Sequence, residues 1–202
     1  MIDVELTIGL ITFYFIMFVT PGPNNVMLTA SGIKFGFKRT IPHLLGIPLG
    51  HTIQITLVTL GLGVIFEKYP SIQIVLKFLG CGYLFFLAYK MFGSLDIKSI
   101  KNSGRPLKFY EASLFQFLNP KAWLVATTAA SVFFPDNINF ISGLIFVVFL
   151  APIVCLPSIT IWAIFGSTIK NFISNYKIKK IIEIILAISL VITGLLLSLI
   201  HI

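Results

Sequence analysis

Polar residues are so sparse along this chain that apolar runs dominate its pattern. A helix needs about 20 apolar residues to cross a hydrocarbon core of about 30 Å. Six runs meet that length, at about 4–31, 41–66, 70–92, 111–134, 138–168 and 180–200. The links between them are short, and only residues 93–110 make a long polar loop. The pattern predicts an all-α membrane protein of six transmembrane helices, forming one integral membrane domain over 1–202. Two of the runs contain breakers partway across. Pro21-Gly22-Pro23 lies in the first and Asn119-Pro120 in the fourth. Proline removes a backbone donor and clashes with the preceding turn, so both helices are expected to be interrupted there.

Composition agrees with lipid as the solvent. Hydrophobic residues make up 57% of the chain and charged residues 11%, where a soluble domain carries about 25% charged residues. The net charge of +8 invites a nucleic-acid reading, but the positions of the bases exclude it. Twelve of the fifteen Lys and Arg fall in three inter-helix segments, at Lys34, Lys38 and Arg39, from Lys90 to Lys108, and from Lys170 to Lys180. Asp3, Glu5, Glu67, Lys68 and Asp136 occupy the alternate ends. By the positive-inside rule, the basic segments are cytoplasmic and both termini lie outside. The expected location is the plasma membrane, or the inner membrane of a Gram-negative cell. Asp3 and Glu5 stand where a signal peptide would carry bases, so the first run is expected to remain in the mature protein.

The long loop divides the chain into two sets of three helices. Three is odd, so the halves enter the membrane from opposite faces, and any likeness between them is an inverted repeat. Phe18-Val19-Thr20-Pro21-Gly22-Pro23 and Phe115-Gln116-Phe117-Leu118-Asn119-Pro120 supply that likeness, each with a proline five positions after a phenylalanine. The fold expected is therefore two inverted three-helix repeats with helices 1 and 4 interrupted by proline. Pro48, Pro152 and Pro157 stand alone in their turns and are read as simple kinks.

Irregular backbone at membrane depth must face protein or a wet cavity, which makes the breaks the place to look for chemistry. Lys121 lies ten residues after Glu111, or ~15 Å at the helical rise, near the bilayer middle. Pro23 lies eight residues before Ser31, or ~12 Å from the cytoplasmic end by the same rise. Each break begins a half-helix, and Asn119-Pro120 reads as an N-cap followed by proline at the first helical position. Two such N-termini meeting at similar depth favour an anion such as a carboxylate. A cation at mid-membrane is costly and functional by default, and no carboxylate lies at the depth of Lys121. A substrate carboxylate would fill that role; snorkelling of the lysine stem is the alternative.

Asn24 and Asn25 add uncharged donors and acceptors, or cap the exposed backbone. His51 and Gln54 lie one turn apart on the second run, beside the close-packing pair Gly46 and Gly50. His51 is open to two roles, carrying a coupling proton or bonding a neighbouring carbonyl. The candidate substrate-binding set is thus Pro21, Gly22, Pro23, Asn24, Asn25, Gln54, Asn119, Pro120 and Lys121. His51 is the proton-coupling candidate. Cys81 and Cys155 stand alone in apolar runs and imply neither disulfide nor metal.

The same residues resemble a known family. Thr20-Pro21-Gly22-Pro23-Asn24-Asn25, Gly36-Phe37-Lys38, Gly46-Ile47-Pro48-Leu49-Gly50, Gly80-Cys81-Gly82-Tyr83-Leu84 and Phe115-Gln116-Phe117-Leu118-Asn119-Pro120-Lys121 are similar to segments of the LysE/RhtB amino-acid exporters. The likeness runs the length of the chain. Asn24-Asn25 and Ile161-Trp162-Ala163 look most like the branch exporting cysteine and O-acetylserine. The resemblance implies efflux of amino acids or their derivatives, driven by protons, with no cofactor. Many members carry an acidic residue near the position of His51 or in helix 5. This chain has neither, which leaves His51 as the coupling candidate and argues against the metal-exporting relatives. The expected partners are a small amino acid, protons and membrane lipids, with a homodimer permitted by the glycine faces. Two other classes fit the residues less well. An intramembrane serine protease lacks a GxSxG-like turn, and a purely structural membrane protein leaves the paired breaks and Lys121 without a purpose.

Overall fold

The computed structural model describes residues 3–91, 104–135, 138–169 and 176–199, and every regular element among them is helical. The first half contains α1 (Val4–Val19), α2 (Pro23–Phe35), α3 (Phe37–Leu57), a π-helical turn (Val58–Leu62), α4 (Gly63–Lys68) and α5 (Pro70–Met91). The second contains α6 (Phe109–Phe115), a 3-10 turn (Gln116–Leu118), α7 (Pro120–Val132), α8 (Phe140–Ile169) and α9 (Tyr176–Leu199). Residues 93–103 of the expected loop, with Lys98 and Lys101, lie outside the described residues, as do Asp136 and Lys170.

Four stretches are long and apolar enough to cross a membrane: Phe37–Phe66, Ile74–Met91, Phe140–Ile169 and Lys180–Leu199. The pair α1 and α2, bent by 51° at their junction, makes a fifth if counted as one span. The stretch expected at 111–134 is helical but outside this set. Gln116, Asn119 and Lys121 dilute its hydropathy, and its helix is divided between α6 and α7. Pro48, Pro152 and Pro157 sit inside continuous helices.

Local chemistry explains where the elements start and stop. Asp3 caps α1 by accepting from the Glu5 amide at 3.1 Å. Ahead of α6, Arg105 pairs with both carboxylate oxygens of Glu111, at 2.6 and 2.5 Å, while Glu111 also accepts from the Lys108 amide at 2.8 Å. Gly36, at φ 81°, ends α2 and leads straight into α3. That backbone region strains any residue with a Cβ.

Small residues set how the helices pack. A Cβ added at Gly46 would collide with the Phe109 carbonyl, and one at Gly50 with the Ser113 carbonyl, so α3 lies directly on α6. α8 and α2 also meet through small residues. A Cβ at Gly166 of α8 would collide with the Thr29 carbonyl of α2, and one at Gly32 would sit 2.6 Å from the Ala163 carbonyl. Such contacts let backbones approach where apolar lipid offers no drive for association.

The buried side chains form two clusters. One joins α1, α3, α7 and α8 through residues such as Tyr14, Ile47, Ala126 and Cys155. The other joins α2, α5 and α9 through Val26, Leu84 and Leu190. Outside them, Phe78, Phe86, Phe149, Ile185 and Leu196 are exposed, as expected of a surface meant for acyl chains.

Candidate functional site

The helix that begins at Val4 ends at Val19, and the chain runs extended through Thr20 (ψ 147°) and Gly22 (φ −178°, ψ 179°) before α2 starts at Pro23. Ending a helix inside an apolar protein frees its last carbonyls, and each must find a donor. Here each one does. The Phe18 carbonyl accepts from Asn25 Nδ2 at 2.8 Å, and the Val19 carbonyl from Trp162 Nε1 at 3.0 Å. The Thr20 carbonyl accepts from Asn25 Nδ2 at 2.7 Å and from Lys121 Nζ at 3.1 Å. The Pro21 carbonyl accepts from Lys121 Nζ and Thr193 Oγ1, both at 3.3 Å.

Lys121 completes its set of three with Thr20 Oγ1 at 2.7 Å. All three ammonium protons are thus directed at the broken end of α1. A cation suits that place, because the C-terminal end of a helix carries negative partial charge. The stem reaches it by passing over Gly22, where a Cβ would stand 3.1 Å from Lys121 Cδ and 3.4 Å from Nζ.

The second break is satisfied in the same way by other side chains. Asn119 caps α7 by accepting from the Lys121 amide at 3.1 Å, with Pro120 at the first helical position. The Gln116 carbonyl accepts from Gln54 Nε2 at 3.1 Å, and the Phe117 carbonyl from Trp123 Nε1 at 2.9 Å. Pro120 packs on α5, where a Cβ at Gly80 would lie 2.7 Å from its ring.

A reciprocal amide pair ties the two breaks together. Asn24 Nδ2 donates to Gln116 Oε1 at 2.8 Å, and Gln116 Nε2 donates back to Asn24 Oδ1 at 3.1 Å. Gln116 Nε2 also bonds the Ala112 carbonyl at 2.9 Å, which fixes the orientation of the amide. Gln116 is fully buried and Asn24 nearly so.

Between the breaks lies a cavity of about 20 Å³, room for roughly one water. Gly22, Pro23, Asn24, Asn25, Asn119 and Lys121 line it, together with His51. His51 stands edge-on to Phe18 with ring centroids 4.9 Å apart, and its Nδ1 has no partner among the described residues. Most of the residues singled out by sequence therefore surround one space. Pro21, Pro120 and Gln54 are not part of its lining, and Gln54 instead serves the Gln116 carbonyl. Five side chains that serve the breaks were not among the candidates: Thr20, Gln116, Trp123, Trp162 and Thr193. Gln116 and Thr20 lie within the quoted motifs, and their polarity in an apolar run was the available signal.

A second cavity of about 270 Å³ lies at the far end of α2, lined in part by Lys34, His43, Lys90 and Arg105.

A family model described as LysE type translocator matches residues 15–200. The chain belongs to this family. Its members are translocators rather than enzymes, and the multi-pass helical architecture accords with that. Among curated relatives, the chain is 28% identical over 183 residues to the cysteine/O-acetylserine efflux protein of Escherichia coli (strain K12), covering 89% of this chain and 91% of that protein. The proteins of the same description from Shigella flexneri and Shigella sonnei (strain Ss046) match to the same extent. No solved structure matches the chain.

Proposed function

We propose that this translocator exports a small neutral α-amino acid or derivative, of the cysteine and O-acetylserine kind, from the cytoplasm across the plasma membrane. One observation carries this reading. The break in the first helix sets oxygens at the end of α1 beside the starts of α2 and α7, around a single cavity. Helix C-termini attract cations and helix N-termini attract anions. An amino-acid zwitterion presents one of each a few bonds apart. Its ammonium belongs at Thr20 and Pro21, and its carboxylate at the Pro23 and Pro120 ends, among Asn24, Asn25, Asn119 and Lys121. The names of the relatives point to the same substrate class.

The architecture proposed is six spans in two inverted repeats, with α1–α2 and α6–α7 as the equivalent broken helices. Reciprocal contacts support it. α3 packs on α6 through Gly46 and Gly50, while α8 packs on α2 through Gly166 and Gly32. Gln54 of α3 bonds a carbonyl of the second break, as Trp162 of α8 bonds one of the first. In the orientation set by the basic residues, both termini are extracytoplasmic. The 270 Å³ cavity with Lys34, Lys90 and Arg105 then becomes a cytoplasmic vestibule that attracts carboxylates. His51 carries the coupling proton, supported by its place on the cavity wall.

The test is uptake of labelled cysteine, O-acetylserine, threonine and homoserine into inverted membrane vesicles. Flux of at least one, dissipated by collapsing the proton gradient, is the expected result. Folded protein that moves none of them overturns the proposal.

A further inference from the structure

The site as it stands holds no room for an amino acid. A cavity of about 20 Å³ accepts roughly one water, and an amino acid is several times larger. Something must leave before substrate enters. Asn25, Gln116 and Trp162 are buried or half-buried and fixed to backbone carbonyls on both sides of the breaks, so their departure would unravel the site. Lys121 is different. Its stem is a flexible chain lying across Gly22 on the cavity wall, and its ammonium ends on three oxygens of Thr20 and Pro21. Two of these oxygens keep another partner when it goes: the Thr20 carbonyl keeps Asn25, and the Pro21 carbonyl keeps Thr193.

We infer that Lys121 is a tethered stand-in for the substrate: in the empty carrier its ammonium occupies the place that the substrate's ammonium takes in the loaded one. This rests on the exporter reading above and concerns how that same site cycles. On loading, the substrate ammonium takes over the Thr20 and Pro21 oxygens. The displaced Lys121 ammonium then meets the substrate carboxylate, and withdrawal of its stem opens the space the ligand needs. No charge is left over, because a zwitterion is neutral and lysine stays a cation throughout. In both states the broken end of α1 faces a cation, so the empty carrier returns as readily as the loaded one. A net exporter needs that return; an exchanger does not.

The experiment compares two fluxes in proteoliposomes containing wild type or Lys121→Met, with labelled cysteine as the probe. Net efflux into amino-acid-free medium requires the empty carrier to reorient. Exchange against unlabelled cysteine on the far side does not. In Lys121→Met, net efflux is expected to fall by about tenfold or more, the broken end of α1 having lost its cation. Exchange persists at saturating cysteine, with a higher half-saturation because the carboxylate has lost its partner. Equal loss of both fluxes in folded protein, or retention of both, overturns the inference. Failure of wild type to move cysteine or any other amino acid defeats instead the exporter reading beneath it. Should Lys121→Met fold poorly, wild type labelled with 15N-lysine supplies a second measurement. The Lys121 ammonium resonance, assigned by its loss in Lys121→Arg, shifts on adding cysteine if the lysine is displaced. A resonance that does not move under saturating cysteine refutes displacement.

Discussion

Replacing Gln116 by methionine keeps the length and flexibility of the side chain while deleting its polarity. The variant loses two bonds to Asn24, at 2.8 and 3.1 Å, one to the Ala112 carbonyl at 2.9 Å, and a longer one accepted from Asn119 Nδ2 at 3.5 Å. Among the described residues, the buried Asn24 amide is then left without a side-chain partner. An orphaned buried polar group costs about 1–3 kcal/mol in soluble proteins. Within membranes, interhelical bonds measured by double-mutant cycles average about 0.6 and reach about 1.7 kcal/mol, because the unfolded state also finds partners. Two bonds between Asn24 and Gln116 therefore imply a coupling of about 1–3 kcal/mol. The assay is a cycle of wild type, Asn24→Leu, Gln116→Met and the double variant, each unfolded reversibly in mixed detergent micelles. Each single change is expected to destabilise, and the double to cost less than the sum by that coupling. Additivity within about 0.3–0.5 kcal/mol, the range seen for independent sites, refutes the claim that this pair holds the two breaks together.

Further outcomes follow from the same geometry. Gly50→Ala forces α3 away from the Ser113 carbonyl and should cost about 1–3 kcal/mol or more in the same assay; Gly82→Ala, which meets nothing within 4 Å, should instead be neutral or gain about 0.5–1 kcal/mol. Trp162→Phe removes the donor to the Val19 carbonyl and Gln54→Leu the donor to the Gln116 carbonyl. If these are equivalent positions of a repeat, both lower the unfolding temperature by similar amounts; loss from one alone argues against equivalence. His51→Leu is expected to abolish acceleration of cysteine flux by a proton gradient while gradient-free exchange continues. A gradient response equal to wild type removes His51 from the coupling step.

The helical spans were legible because lipid imposes a length and a polarity that one chain displays directly. The fourth run was the exception, since its polar residues serve a break and depress the hydropathy that marks a span. Pro23 and Pro120 announced where helices begin. What ends facing them is a tertiary matter. Asn25, Trp162 and Lys121 converge on four successive carbonyls from three different helices, and no spacing along the sequence encodes that meeting. Gln54 shows the limit from the other side. As a polar residue one turn from His51 it reads as facing substrate, yet its amide serves the Gln116 carbonyl, because backbone freed by a break competes for every nearby donor. Trp162 has the size and apolarity of a packing residue, and only its indole N–H reveals the second role.

Gly36 has a mechanical meaning beyond its dihedral angle. It is the whole connection between α2 and α3, so the ends of those helices stay within two virtual bonds of about 3.8 Å each. A joint that short transmits translation without slack and leaves freedom only to pivot. Any displacement of the helix that carries Asn24 and Asn25 is therefore handed on to the helix that carries His51 and Gln54. If the proposed site binds at α2 and takes its proton at His51, the two events are geared through a single residue.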